Sequence, residues 1–155
     1  MTVFLIISGT QNSGKTTTAG MVYKKLREYA KDPWLADISE IEISPDDSLI
    51  ENGEPKDFLA YLEINGKSVA MISAGDKADY LKEYVEAYLE KNVDYIICCL
   101  RSINRDGSAR RMLFADFANY PKKEFWTVYS DDPKQKYAVK ENVVNQIVSV
   151  IKSNQ

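Results

Sequence analysis

The chain has no histidine among its 155 residues. That removes serine–histidine and cysteine–histidine catalysis, which need an imidazole base, and every histidine-ligated metal centre. Cysteine is nearly absent too: the 2 thiols, Cys98 and Cys99, are neighbours in the apolar run YIICCL. Adjacent strand residues point to opposite faces, so a mutual disulfide is not expected. Two cysteines without histidine do not build a usual zinc site, and they read as small buried hydrophobes. A long apolar run is also missing, since nothing approaches the roughly 20 residues of a membrane span. The N-terminal VFLII is short and has no basic flank, so no signal peptide is expected. Nor is there an excess of basic charge: the formal net charge is −3 and the pI about 5.1. A chain of that sign offers no global field for nucleic acid. These absences together predict a cytoplasmic protein with neither a membrane nor a nucleic-acid partner.

What is present is the mix of a globular protein, 45% apolar and 28% charged residues. The length predicts one domain over residues 1–155, with enough chain for a real core. Its most informative stretch is VFLIISGTQNSGKTTT, Val3 to Thr18. An apolar strand gives way to Gly9, Thr10, Gln11, Asn12, Ser13, Gly14, Lys15, Thr16 and Thr17, and a helical pattern follows. Gly9 and Gly14 permit backbone angles that residues with a Cβ resist, so successive N–H groups can turn inward around an anion. A helix starting near Gly14 would add its unpaired N-terminal N–H groups and the positive end of its dipole.

This glycine, four residues, then Gly-Lys-Thr resembles the Walker A loop of the P-loop NTPase superfamily over the first 30 residues. The resemblance implies that residues 9–17 bind ATP or another nucleoside triphosphate. It implies that Lys15 meets the β- and γ-phosphates and that Thr16 holds Mg²⁺. It also implies a three-layer α/β fold with a mostly parallel sheet and the ligand at the carboxyl ends of the strands.

The rest of the chain reads as follows. A helix runs from Lys15 to Lys31, with Ala19, Val22, Tyr23, Leu26 and Ala30 on its apolar side, stopped by Asp32-Pro33. DISEIEIS, Asp37 to Ser44, alternates as a strand with one wet face, and the acidic residues 45–56 form a surface loop. Asp57–Ile64, Asn65-Gly66 and Lys67–Ser73 form a hairpin on a type I′ turn, an antiparallel edge to the sheet. By analogy with P-loop folds, Val69–Ile72 is placed beside Val3–Ser8, and Val93–Leu100 on the other side. Helices are expected over 75–91, after the polar segment 101–111, and after Asp132-Pro133; the last strand is EFWTVY, Glu124–Tyr129. Predicted inner faces include Leu81, Tyr84, Val85, Tyr88 and Leu89, then Met112, Leu113, Phe114, Phe117 and Ala118. For the last helix they are Tyr137, Val143, Val144, Ile147, Val148 and Ile151. Tyr80, Tyr84 and Tyr88 suggest packing at helical spacing more than a base-stacking platform.

Two groups could complete a phosphate site. P-loop proteins usually supply an Asp at the end of the strand next to the first, but VAMIS ends in Ser73, and the next carboxylate is Asp76. Asp76 is therefore the expected metal or acceptor ligand, with capping of the next helix as its bland alternative and Asp37 and Glu40 as weaker candidates. Arg101 and Arg105 would clamp transferred phosphate, and Arg110 and Arg111 follow nearby. Asp76-Lys77-Ala78-Asp79 imitates a guanine-reading motif but follows the wrong strand, so GTPase specificity is not expected. The residues then predict an ATP- and Mg²⁺-dependent phosphotransferase acting on an unidentified small acceptor. The alternative is an ATPase or nucleotide-dependent switch acting through a protein partner, and a third possibility is a domain that binds nucleotide only structurally.

Overall fold

The computed structural model describes residues 1–10, 13–43, 50–51, 54–75, 78–102, 107–128 and 131–153. The strands are β1 (Val3–Gly9), β2 (Lys31–Asp37), β3 (Ile50–Glu51), β4 (Glu54–Pro55), β5 (Phe58–Ile64), β6 (Lys67–Ile72), β7 (Tyr95–Arg101) and β8 (Lys122–Trp126). The helices are α1 (Lys15–Leu26), α2 (Ala78–Glu90), α3 (Ala109–Asp116) and α4 (Pro133–Ser153). Six strands make one sheet in the order β2-β5-β6-β7-β1-β8. The pairs β6–β7, β7–β1 and β1–β8 are parallel, while β2–β5 and β5–β6 are antiparallel. The fold is thus α/β with a mostly parallel sheet and an antiparallel edge.

The central strands are apolar on both faces because each face has its own helical layer. Leu5, Ile7, Met71, Ile97 and Cys99 point to one core with Ala19, Val22, Tyr23 and Leu26 of α1 and Val143, Val144, Ile147 and Ile151 of α4. Phe4, Ile6, Ala70, Ile72, Ile96 and Cys98 point to the other, with Leu81, Val85 and Tyr88 of α2 and Leu113 and Phe117 of α3. Period-2 alternation explains why the two cysteines separate onto opposite faces. Phe4, Leu5, Ile6 and Ile7 are all fully buried, each contributing about 1.5–3 kcal/mol of apolar transfer. The hairpin forms as expected: Asn65 and Gly66 both have positive φ, 52° and 79°, as a type I′ turn demands.

Several expectations are corrected. Val69–Ile72 is not beside β1: β7 stands between them, and β8 takes the far side of β1. Burial fits this order: all of Tyr95–Leu100 is buried, whereas β6, one place nearer the antiparallel edge, begins with half-buried Lys67 and Ser68. The first helix stops at Leu26, a 3-10 turn covers Arg27–Tyr29, and the following strand is Lys31–Asp37 instead of Asp37–Ser44. Pro33 does not end the structure, because β2 is an edge strand and its missing N–H costs no ladder bond there. Beyond it, Asp37 Oδ1 accepts from the backbone N–H groups of Ser39 (2.8 Å) and Ile41 (3.1 Å) and closes a turn. Ile38 and Ile41 are exposed, while Ile43 packs against the core, so the expected strand does not bury one whole face. The last strand comes earlier than expected, at Lys122–Trp126. Tyr137, Phe114 and Ala118 were expected inside and lie on the surface.

Candidate functional site

β1 ends between the ends of β7 and β8, where the chain order reverses across the sheet, and such switch points open a crevice at the carboxyl ends of parallel strands. The glycine-rich loop leaves β1 there. Gly14 adopts φ 85°, ψ 28° at the N-cap of α1, and no side chain caps that helix or puts an acid in its first turn. The helix end is consequently electropositive. Gly14 O accepts from the backbone N–H of Thr18 (2.9 Å) and from its hydroxyl (2.7 Å), which fixes the first turn. Lys15 Nζ reaches back over the loop and donates to Thr10 O at 2.8 Å. Gly9 is required for space: a Cβ there would overlap Ser13 Oγ and lie 2.5 Å from Thr127 Oγ1. Those two hydroxyls bond each other at 2.7 Å, and Thr127 N–H donates to Ser8 O at 2.8 Å. The loop is thereby tied to the end of β8.

Of the predicted residues, Gln11, Asn12, Asp76 and Arg105 lie outside the described residues. Gly9, Thr10, Ser13, Gly14, Lys15, Thr16 and Thr17 are together in the loop and first helical turn. A carboxylate that the sequence reading passed over joins them. Thr16 Oγ1 donates to Asp57 Oδ1 at 3.4 Å, and Ser73 Oγ donates to the same oxygen at 3.3 Å. Ser73 in turn accepts from Phe58 N–H at 2.8 Å, which locks the start of β5 to the end of β6. Asp57 stands immediately before the antiparallel strand β5, where the usual strand-end position of a P-loop carboxylate does not point to it. An antiparallel neighbour brings its beginning, not its end, to that edge of the sheet. The hairpin itself was the signal: it dictates that Asp57 faces Ser73. Hydroxyl and carboxylate oxygens so placed are the hard donors Mg²⁺ prefers, and it takes few protein ligands.

Arg101 falls opposite Gly9 in the β1–β7 register, and Ser102 N–H donates to Gly9 O at 3.1 Å, so the backbone of Arg101 lies beside the start of the loop. Arg110 does something else. It is 9% exposed, and its guanidinium donates to Glu124 Oε1 (2.6 Å), Ser8 Oγ (2.8 Å) and Arg101 O (2.8 Å). Ser8 Oγ also donates to Glu124 Oε1 at 2.8 Å. The rings of Phe114 and Trp126 lie 5.6 and 5.3 Å from the guanidinium. Arg110 is therefore a clasp joining α3 to β1, β7 and β8. Replacing it by Met should destabilise the protein by about 2–3 kcal/mol, since Glu124 and Ser8 lose their buried partner. Urea unfolding measures this, and a loss under about 1 kcal/mol would contradict the clasp.

The remaining suspects fall to packing. Burial pushes the Cys98 thiol up to about 12, leaving it inert as a nucleophile. Cys99 Sγ donates to Lys15 O at 3.6 Å from beneath the helix start. Tyr80, Tyr84 and Tyr88 stack along α2 with centroids 4.9 and 6.5 Å apart, and Tyr80 donates to Ile38 O at 3.0 Å. Burial raises the hydroxyl pKa of all three. A groove of about 610 Å³ between β8 and the C-terminal half of α4, lined by Phe125, Gln146 and Val150, lies away from the loop. Comparison with protein-family models, with curated proteins and with solved structures finds no match to this chain.

Proposed function

We propose that the chain is a P-loop NTPase-like protein binding ATP or another nucleoside triphosphate with Mg²⁺, and that it acts as a small phosphotransferase. One observation carries this reading: left-handed Gly14, an uncapped helix start, Lys15 across the loop, and Thr16 beside Asp57 share one corner of the sheet. Backbone N–H groups and Lys15 would hold the β- and γ-phosphates, with Arg101 compensating charge from β7 and Arg105 from the segment beyond it. Thr16 and Asp57 would hold the metal, with Asp76 as a further candidate. Mg²⁺, when bound, neutralises charge on the phosphates. Thr16 and Ser73 each donate to Asp57 Oδ1, so these oxygens are held close to one another.

The reading predicts that Asp57→Asn raises the Mg²⁺ concentration needed for half-maximal ATP binding about tenfold, since one charged metal-site oxygen is neutralised. Affinity for ATP without Mg²⁺ should stay the same or improve. Calorimetric titration at several Mg²⁺ concentrations tests this, and an unchanged midpoint would rule Asp57 out. Transfer itself is tested by mixing the protein with MgATP and a panel of nucleosides, nucleotides and small alcohols. Acceptor-dependent ADP release supports a phosphotransferase.

A nucleotide-dependent switch or ATPase acting through a protein partner is the second reading. It is favoured by β7, the neighbour of β1 whose carboxyl end is Arg101 and not a carboxylate. Different proteolytic protection by ATP and ADP, with no turnover on any acceptor, would select it.

A further inference from the structure

Two turns into α4, Lys140 is buried to 8% exposure, which is rare for a lysine. Its side chain runs to the loop: a Cβ on Gly14 would overlap Lys140 Cε and lie 3.0 Å from Nζ. Glycine at position 14 therefore serves two needs, the positive φ and the space that the lysine occupies. Among the described residues Lys140 has no hydrogen-bond or ion-pair partner. Burial lowers its pKa, and the positive charge of Lys136 one turn earlier lowers it further. Both influences oppose an ammonium, and the attraction of an anion at the loop would offset them. Lys15 lies over Thr10 at the entrance of the loop, and Lys140 lies against Gly14 at its exit. Two cations at the two ends of one cradle suit an elongated anion.

We propose that Lys140 is a second cationic contact for the polyphosphate chain held by residues 9–16. This rests on the loop being a phosphate cradle, and it adds a binding residue from α4 that the loop motif does not specify. The competing role is structural: the lysine stem could simply pack over Gly14 with its head at the water boundary. Methionine separates the two, since it keeps an unbranched apolar stem and drops the charge.

Binding of inorganic tripolyphosphate and of ATP, each with Mg²⁺, is measured by calorimetry for the wild type and for Lys140→Met, Lys140→Arg, Lys15→Met and Lys24→Met. The last removes an equal charge from an exposed site on α1. Lys140→Met should weaken both ligands at least about tenfold, the size of one charge-assisted hydrogen bond. Lys140→Arg and Lys24→Met should stay within about threefold of wild type. Tripolyphosphate binding by Lys140→Met equal to wild type would overturn the proposal while leaving the loop reading intact, provided Lys15→Met loses binding. A loss for ATP alone would assign Lys140 to the nucleoside and also overturn it. A wild type that binds neither ligand would sink the loop reading and this inference together. Should Lys140→Met fail to fold, the wild-type Lys140 Nζ resonance decides. It should shift during tripolyphosphate titration at the binding midpoint, and a signal that stays put refutes the contact.

Discussion

Gly75→Ala should lose about 3 kcal/mol or more of stability, a drop of roughly 10 °C in melting temperature for a chain of this size. Gly75 follows β6 and crosses the backbone of β7, where a Cβ would fall inside the carbonyl oxygen of Cys99 and 2.5 Å from its carbon. The obstacle is main chain, so no rotamer change can clear it. β7 cannot yield either, because it is paired along its length with β1 and at four positions with β6. The segment leaving β6 must move instead, carrying Ser73 away from Asp57 and Phe58. The variant should therefore lose Mg²⁺-dependent ligand binding as well as stability. Thermal melting and urea unfolding measure the first effect. A melting point within about 2 °C of wild type would show that the crossing is loose.

Lys15→Met should weaken ATP binding about 100-fold or more while the unliganded protein melts within about 2 °C of wild type. The two halves of that expectation come from one geometry. Without ligand, the lysine's hydrogen bond to Thr10 O is exposed, and exposed bonds contribute little to stability. With a phosphate in the loop, the same ammonium would face a concentrated negative charge with little water between, where a hydrogen bond to charge is worth several times more. Calorimetric titration with MgATP measures the affinity. Binding within threefold of wild type would mean that Lys15 belongs to the loop's own structure, and the phosphate reading would fall. A large loss of apo stability would point the same way.

Much of the fold was legible wherever neighbouring residues settle the matter. The turn at Asn65-Gly66 needs positive φ at consecutive positions, and those residue types supply it without outside help. Pro133 opens α4 as expected, and Val143, Val144, Ile147, Val148 and Ile151 face inward as their spacing requires. β2 was misread because Pro33 is a breaker in a helix or central strand but harmless on an edge, and nothing local says which strand will be the edge. Ile38 and Ile41 misled for the same reason: alternation implies burial only if a core lies on one side.

The candidate site divides along the same line. The glycine, lysine and threonine spacing of this loop is a local signal, and it is why the positive φ at Gly14 and the helix start at Lys15 could be expected from the sequence. Asp57, Arg110 and Lys140 could not, since each acquires its meaning from a partner far along the chain: Thr16, Glu124 with Ser8, and Gly14. Sequence alone determined the strand–loop–helix start, the hairpin and the apolar stripes, all set by backbone angles and side-chain period over a few residues. Tertiary structure decided which strand borders β1, which carboxylate meets the loop, and which buried arginine is a clasp. Those choices turn on long-range pairing and burial, whose energies depend on what lies beside a residue in space and not on what precedes it in the chain.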